Sequence, residues 1–157
     1  MEGEKRILFV CTGNTCRSPM AEGLLRKAAE GRGEVSVASA GVAAMPGGPA
    51  SRQTVEALKR RGISLDGFRS RMVDAALIDW ATHVFAMTRG HLAMLEEMFP
   101  EAKDKFYLAC EFVDLPGRGV GADVPDPIGG GREAYEDVAR VLELAIPGIL
   151  GVLDAEA

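Results

Sequence analysis

The chain is short of several residue types, and each shortage closes a class of function. Cysteine occurs three times, as Cys11, Cys16 and Cys110. That is too few for a disulfide scaffold, and the spacing lacks the paired pattern of a structural zinc site. A reducing, cytoplasmic setting is therefore expected. Histidine occurs twice, as His83 and His91, with neither spacing nor neighbours that indicate a metal pair, so no metal or other cofactor is expected. Basic charge is not in excess: 18 Lys and Arg face 23 Asp and Glu, for a net charge of −5. Nucleic acid is not an expected partner, and any anion site must be local. Apolar runs are short, and "MEGEKRILFVCTGN" is neither a secretory signal nor a membrane span. No membrane partner is expected.

What is present reads as one domain over residues 1–157, long enough to bury a core unaided. "RILFVC" is a continuous apolar run, the pattern of a strand buried on both faces of a parallel sheet. "SPMAEGLLRKAAEGRG" then opens on Ser and Pro, repeats apolar residues at helical spacing and ends at glycines. "VSVASAG", "HVFAMT" and "KFYLACEF" follow as strands. Helices are predicted in "ASRQTVEALKRRGI", with Val55 and Leu58 on its inner face, in "MVDAALIDWA", and in "RGHLAMLEEMFPEA", with Leu92, Met94, Leu95 and Met98 as a core stripe. A last helix, "REAYEDVARVLELAIPGILGVL", is expected to bend or break at Pro147. Strands alternating with helices predict a doubly wound α/β sheet, with ligands beyond the carboxyl ends of the strands.

Cys11 falls at that edge, in "VCTGNTCRSP". The five residues Thr12, Gly13, Asn14, Thr15 and Cys16 suit a loop that turns its N–H groups inward, backed by a helix N-terminus, to hold a phosphate-like oxyanion. Arg17 adds a bidentate clamp. An ordinary thiol, with a pKa of about 8.5, is mostly protonated at neutral pH. A helix terminus supplies at most about 2 kcal/mol toward the thiolate, so the loop donors, Arg17 and the Ser18 hydroxyl must supply the rest. Asp126, held between Pro125 and Pro127 in "VPDPIGGG", is the candidate acid for the leaving group. Its segment, "VDLPGRGVGADVPDPIGGG", is long enough to be read as functional.

These pieces resemble the low-molecular-weight protein tyrosine phosphatase family over essentially the whole chain. The resemblance rests on "FVCTGNTCRSPMAE", "SAGV", the pair Ser70 and Arg71, "AMTRGHL" and "DPIGGG". It implies a four-stranded parallel twisted sheet with helices on both faces and the phosphate-binding loop between the first strand and first helix. It also implies Cys11 as nucleophile, Arg17 as clamp, Ser18 as thiolate partner, Asn14 as the loop's conformational anchor and Asp126 as general acid. The expected function is hydrolysis of phosphorylated protein side chains through a phosphocysteine intermediate.

Three positions bear on specificity. Tyrosine-directed members usually carry an aliphatic residue at the place of Thr15, aromatics at the places of Ile128 and Gly129, and often a tryptophan near Met45. The sequence looks more like the bacterial protein-arginine phosphatase branch, with tyrosine phosphatase as the alternative. A phosphocysteine carrier and an arsenate reductase are remoter alternatives, the latter lacking its relay cysteines in "HVFAMTRGHLAML". Phe68 stands where many members have a histidine that braces the loop. Cys16 is read two ways, as a disulfide partner that protects Cys11 or as loop packing. Cys110 reads as core, His91 as a surface or packing residue, Trp80 as packing beside the third strand, and Lys59 and Arg60 as a solvated helix face.

Overall fold

Lys5–Cys11 form strand β1 at the centre of the computed structural model, which describes residues 4–156. Neighbouring strand side chains point to opposite faces, so Ile7, Phe9 and Cys11 enter one core while Leu8 and Val10 enter another. Burial on both faces is why the run carries no polar alternation. Helix α1 follows (Arg17–Ala28), then β2 (Val35–Gly41), α2 (Arg52–Lys59), α3 (Ala75–Trp80) and β3 (His83–Ala86). Next come α4 (Arg89–Met98), a 3-10 turn (Pro100–Lys105) and β4 (Phe106–Leu108). A short antiparallel hairpin, β5 (Asp114–Leu115) and β6 (Gly119–Val120), precedes α5 (Arg132–Ala155).

The main sheet has the order β2-β1-β3-β4, with every pair parallel. Helices α1, α2 and α5 cover one face through Met20, Leu25, Leu58, Val138, Leu142 and Ile149. Helices α3 and α4 cover the other through Ile78 and Leu95. Side-chain caps start three of these helices: Ser51 on α2, Asp74 on α3 and Thr88 on α4. Among the described residues no helix is long and apolar enough to cross a membrane.

The structure departs from the sequence pattern in four places. The fourth strand ends at Leu108, and Cys110 is buried in the turn beyond it. The long Gly-rich segment contains the β5–β6 hairpin. Pro147 does not interrupt α5, which runs for 24 residues. An interior proline costs roughly 3 kcal/mol, but Ile146, Ile149, Leu150 and Leu153 are all buried around it, each contributing about 1.5–3 kcal/mol. Val55, Met94 and Met98 are exposed rather than core: α2 buries Thr54, Ala57 and Leu58, and α4 buries His91 and Leu95.

Candidate active site

The chain leaves β1 at Cys11 and enters α1 at Arg17, and the loop between them has its carbonyl groups turned outward. Cys11 O accepts from Val42 N, Thr12 O from Ala43 N, Thr15 O from Ser51 N, and Cys16 O from both Met20 N and the Thr54 hydroxyl. Among the described residues, the N–H groups of Gly13 to Ser18 donate to no protein acceptor. Carbonyls bonded away from the loop, with N–H groups left without a protein acceptor at a helix N-terminus, are the arrangement of an anion nest. Gly41 permits this fit, because a Cβ there would stand 2.3 Å from Thr12 O and 3.0 Å from Asn14 N.

Asn14 sets the loop's curvature. It is the one non-glycine residue with positive φ among those described, at 57°, a region that asparagine tolerates better than most residues. Three hydrogen bonds hold it there. Nδ2 donates to Ser18 Oγ and Ser39 Oγ, each at 2.9 Å, and Oδ1 accepts from Arg71 N at 3.0 Å. Ser39 Oγ donates to Glu22 Oε1 at 2.6 Å, and Glu22 pairs with Arg26. Ser18 Oγ, already an acceptor from Asn14, has its proton available for Cys11 Sγ at 2.9 Å, with Ala40 O farther away at 3.4 Å. The nucleophile candidate and its hydroxyl partner are thus both buried and aligned by one amide.

Arg17 is buried as well, and Nη1 donates to Val124 O at 3.1 Å. Val124 N in turn donates to Met87 O at the end of β3, and Asp123 Oδ1 accepts from Arg89 N at the start of α4. These three bonds fasten the long segment above the loop. They bring Asp126 Oδ2 to 3.9 Å from Arg17 Nη2, while Asp126 Oδ1 accepts from Ile128 N at 3.0 Å. The Asp126 side chain is 54% exposed against 8% for Arg17, so one carboxylate oxygen remains open to a visiting group.

His91 is a packing residue rather than a surface one, of the two readings its sequence allowed. It is buried at the loop, with Nε2 2.7 Å from Thr12 Oγ1 and Nδ1 3.0 Å from Thr88 Oγ1. Burial and then the Arg17 charge lower its pKa to about 4, against the opposing pull of Asp123 and Asp126. Cys16 is a free thiol, as is Cys11. Its Sγ lies 3.5 Å from the Tyr135 hydroxyl of α5, and burial with this contact raises the phenol's pKa. Cys110 is core, with burial raising its thiol to about 11.

The remaining predicted positions divide. Thr15 Oγ1 sits 3.7 Å from Cys16 Sγ, and a Cβ added at Gly13 would stand 3.7 Å from it. Met45 and Ile128 are 83% and 69% exposed, open surfaces rather than walls. Phe68 is half-buried, and Ser51 and Thr54 at the start of α2 brace the loop instead. The Ser70–Arg71 pair acquires a structural account: Ser70 Oγ bonds Met45 O and Gly48 N, and the Arg71 backbone holds Asn14. Lys59 and Arg60 are exposed, as a solvated face requires, and Arg60 also reaches α5, where Nε donates to Glu136 at 2.9 Å beside an Arg61–Glu136 pair at 3.0 Å. Trp80 packs at the edge of the second core. Ser39, Thr54 and His91 were not legible as site residues, because their partners lie 25, 38 and 79 positions away.

The family model for low molecular weight phosphotyrosine protein phosphatase matches residues 6–157. A protein-arginine-phosphatase of Geobacillus stearothermophilus is 47% identical over 152 residues, 96% of this chain and 97% of that one. The low molecular weight protein-tyrosine-phosphatase Etp of Escherichia coli is 34% identical over 88% of each chain. The solved structure of the arginine phosphatase YwlE from Geobacillus stearothermophilus superposes with a TM-score of 0.87 at 46% identity, covering 97% of this chain and 94% of that one. With Cys11, Arg17 and Asp126 gathered at the carboxyl edge of a four-stranded parallel sheet, the chain belongs to the low molecular weight phosphotyrosine protein phosphatase family.

Proposed function

We propose that the chain removes phosphoryl groups from protein arginine side chains. The loop N–H groups and Arg17 hold the phosphoryl oxygens, and the Cys11 thiolate attacks phosphorus. The S–P bond forms as the P–N bond breaks, and Asp126 delivers its proton to the departing guanidine nitrogen. Water then attacks the phosphocysteine, giving its proton to the Asp126 carboxylate, and the S–P electron pair returns to Cys11 as phosphate forms. Ser18 stabilises the sulfur in its anionic state at both ends of this cycle, and Asn14 keeps the loop curved around the phosphoryl group. A thiolate nucleophile works in a reducing setting, which supports a cytoplasmic location.

The observation that carries the mechanism is the 2.9 Å approach of Ser18 Oγ to Cys11 Sγ in a loop whose N–H groups, among the described residues, have no protein acceptor. For the substrate, two features support the reading: Met45 and Ile128 are exposed and not aromatic, and Thr15 offers a hydroxyl where a branched aliphatic would pack on a phenol ring. The 47% identity to a relative named protein-arginine-phosphatase supports the same choice. Turnover of matched phosphoarginine and phosphotyrosine peptides tests it. The native protein is expected to favour phosphoarginine, and Thr15→Ile to shift preference toward phosphotyrosine. Native preference for phosphotyrosine overturns the substrate assignment.

A further inference from the structure

Thr12 and His91 meet at the mouth of the loop, and the protons between them can be counted. Thr88 Oγ1 already accepts the His91 backbone N–H at 3.1 Å, as the cap of α4. His91, buried with a pKa lowered to about 4, is neutral near pH 7 and carries one ring proton. If Thr88 donates to Nδ1 at 3.0 Å, the ring proton sits on Nε2 and is donated to Thr12 Oγ1 at 2.7 Å. Every proton then has an acceptor except that of Thr12, which is left free. The reverse arrangement keeps the same number of bonds but leaves the free proton on the half-buried Thr88, with no acceptor among the described residues, instead of on the exposed Thr12, where water or an anion can take it.

The favoured arrangement therefore turns the Thr12 hydroxyl into an oriented donor. Its direction is constrained by its surroundings. Thr12 follows Cys11 directly, its carbonyl is turned outward to Ala43 N, and its side chain is solvent-exposed at the loop. The imidazole bonded to it feels the charges of Arg17, Asp123 and Asp126, so the pair stands near the clamp and the candidate acid. We infer that the Thr88–His91 pair aims the Thr12 hydroxyl at the phosphoryl group held in the loop, making Thr12 a binding residue and His91 its positioning residue. This rests on the reading of the loop as a phosphate site. A hydroxyl preset by an imidazole loses little rotational freedom when the anion arrives.

The alternative is a purely mechanical tie between the loop and α4, and a double-mutant cycle separates the two. Inhibition by inorganic phosphate and the KM and kcat of a phosphoarginine peptide are measured for native protein, Thr12→Val, Thr12→Ser, His91→Phe, His91→Gln and the Thr12→Val/His91→Phe pair. Thr12→Val is expected to raise the phosphate inhibition constant and KM together about five- to tenfold with kcat less affected, and Thr12→Ser to stay near native. His91→Phe is expected to match Thr12→Val and to add nothing to it, with His91→Gln restoring part of the loss through its amide N–H. An unchanged phosphate constant in Thr12→Val overturns the inference, as do losses that multiply in the pair. Thr12→Val decides the matter even where His91→Phe fails to fold. A native protein that neither binds phosphate nor turns over the peptide overturns the underlying phosphatase reading instead.

Discussion

The backbone N–H of Arg71 donates to Asn14 Oδ1 at 3.0 Å across 57 positions of sequence. With the two bonds from Nδ2 to Ser18 and Ser39, it fixes both the curvature of the loop and the hydroxyl that faces Cys11. Backbone strain and hydrogen bonding separate experimentally. Asn14→Gly accommodates a φ of 57° without strain but loses all three bonds. It is expected to keep native helix content by circular dichroism while kcat/KM falls roughly 100-fold, about 3 kcal/mol. Asn14→Ala loses the bonds and adds strain, so its melting temperature falls further.

Asp126 touches Arg17 only across 3.9 Å and keeps a half-exposed carboxylate, as a group that must exchange protons requires. Asp126→Asn is expected to lower kcat by about 10²- to 10⁴-fold with little change in inhibition by phosphate. An unchanged rate favours a phosphocysteine carrier, which gains nothing from a poised acid, or a different acid.

Two groups give the fold adjacent windows of acid sensitivity. His91 has its folded pKa lowered to about 4, below the ordinary value near 6.5. The unfolded chain therefore binds the extra proton first, and stability falls as pH drops from about 6.5 to 4 and is level below. Glu136 is held down to about 2, chiefly by its hydrogen bond to Arg61 and against the effect of burial. Its contribution is complete above about 4.5 and is lost as pH falls toward 2. Urea melts across pH 3 to 7 are expected to show His91→Gln flattening only the upper window and Glu136→Gln only the lower.

Gly41 ends β2 with Thr12 O where its Cβ would be, at 2.3 Å. The neighbour is backbone and cannot rotate away. Gly41→Ala is expected to cost roughly 2–4 kcal/mol of stability in chemical denaturation and to reduce activity by more than that loss explains, since Thr12 must shift.

The sheet and the gathering of Cys11, Arg17 and Ser18 were readable from sequence because their signals are local. Burial on two faces writes itself as the run Ile7 to Val10, and Cys11, Arg17 and Ser18 lie within one turn of loop and helix. The braces were not readable. Ser39, Thr54, Arg71 and His91 reach the loop only once β2, α2 and α4 have packed around it, and a serine or threonine carries no mark of which carbonyl or amide it will meet. Arg60 was read correctly as solvated, but its ion pair was not readable, because Glu136 lies 76 positions on. Pro147 read as a break because a local rule gives no weight to the apolar burial on either side.

The account's central claim is a phosphoryl group carried on Cys11, and rapid acid quench during turnover of a phosphoarginine peptide tests it most directly. Mass spectrometry of the digested protein is expected to find one phosphoryl group on the fragment containing Cys11. Cys11→Ser is expected to have no turnover while still binding inorganic phosphate. Turnover by Cys11→Ser, or a phosphoryl group on any other residue in its place, contradicts the account.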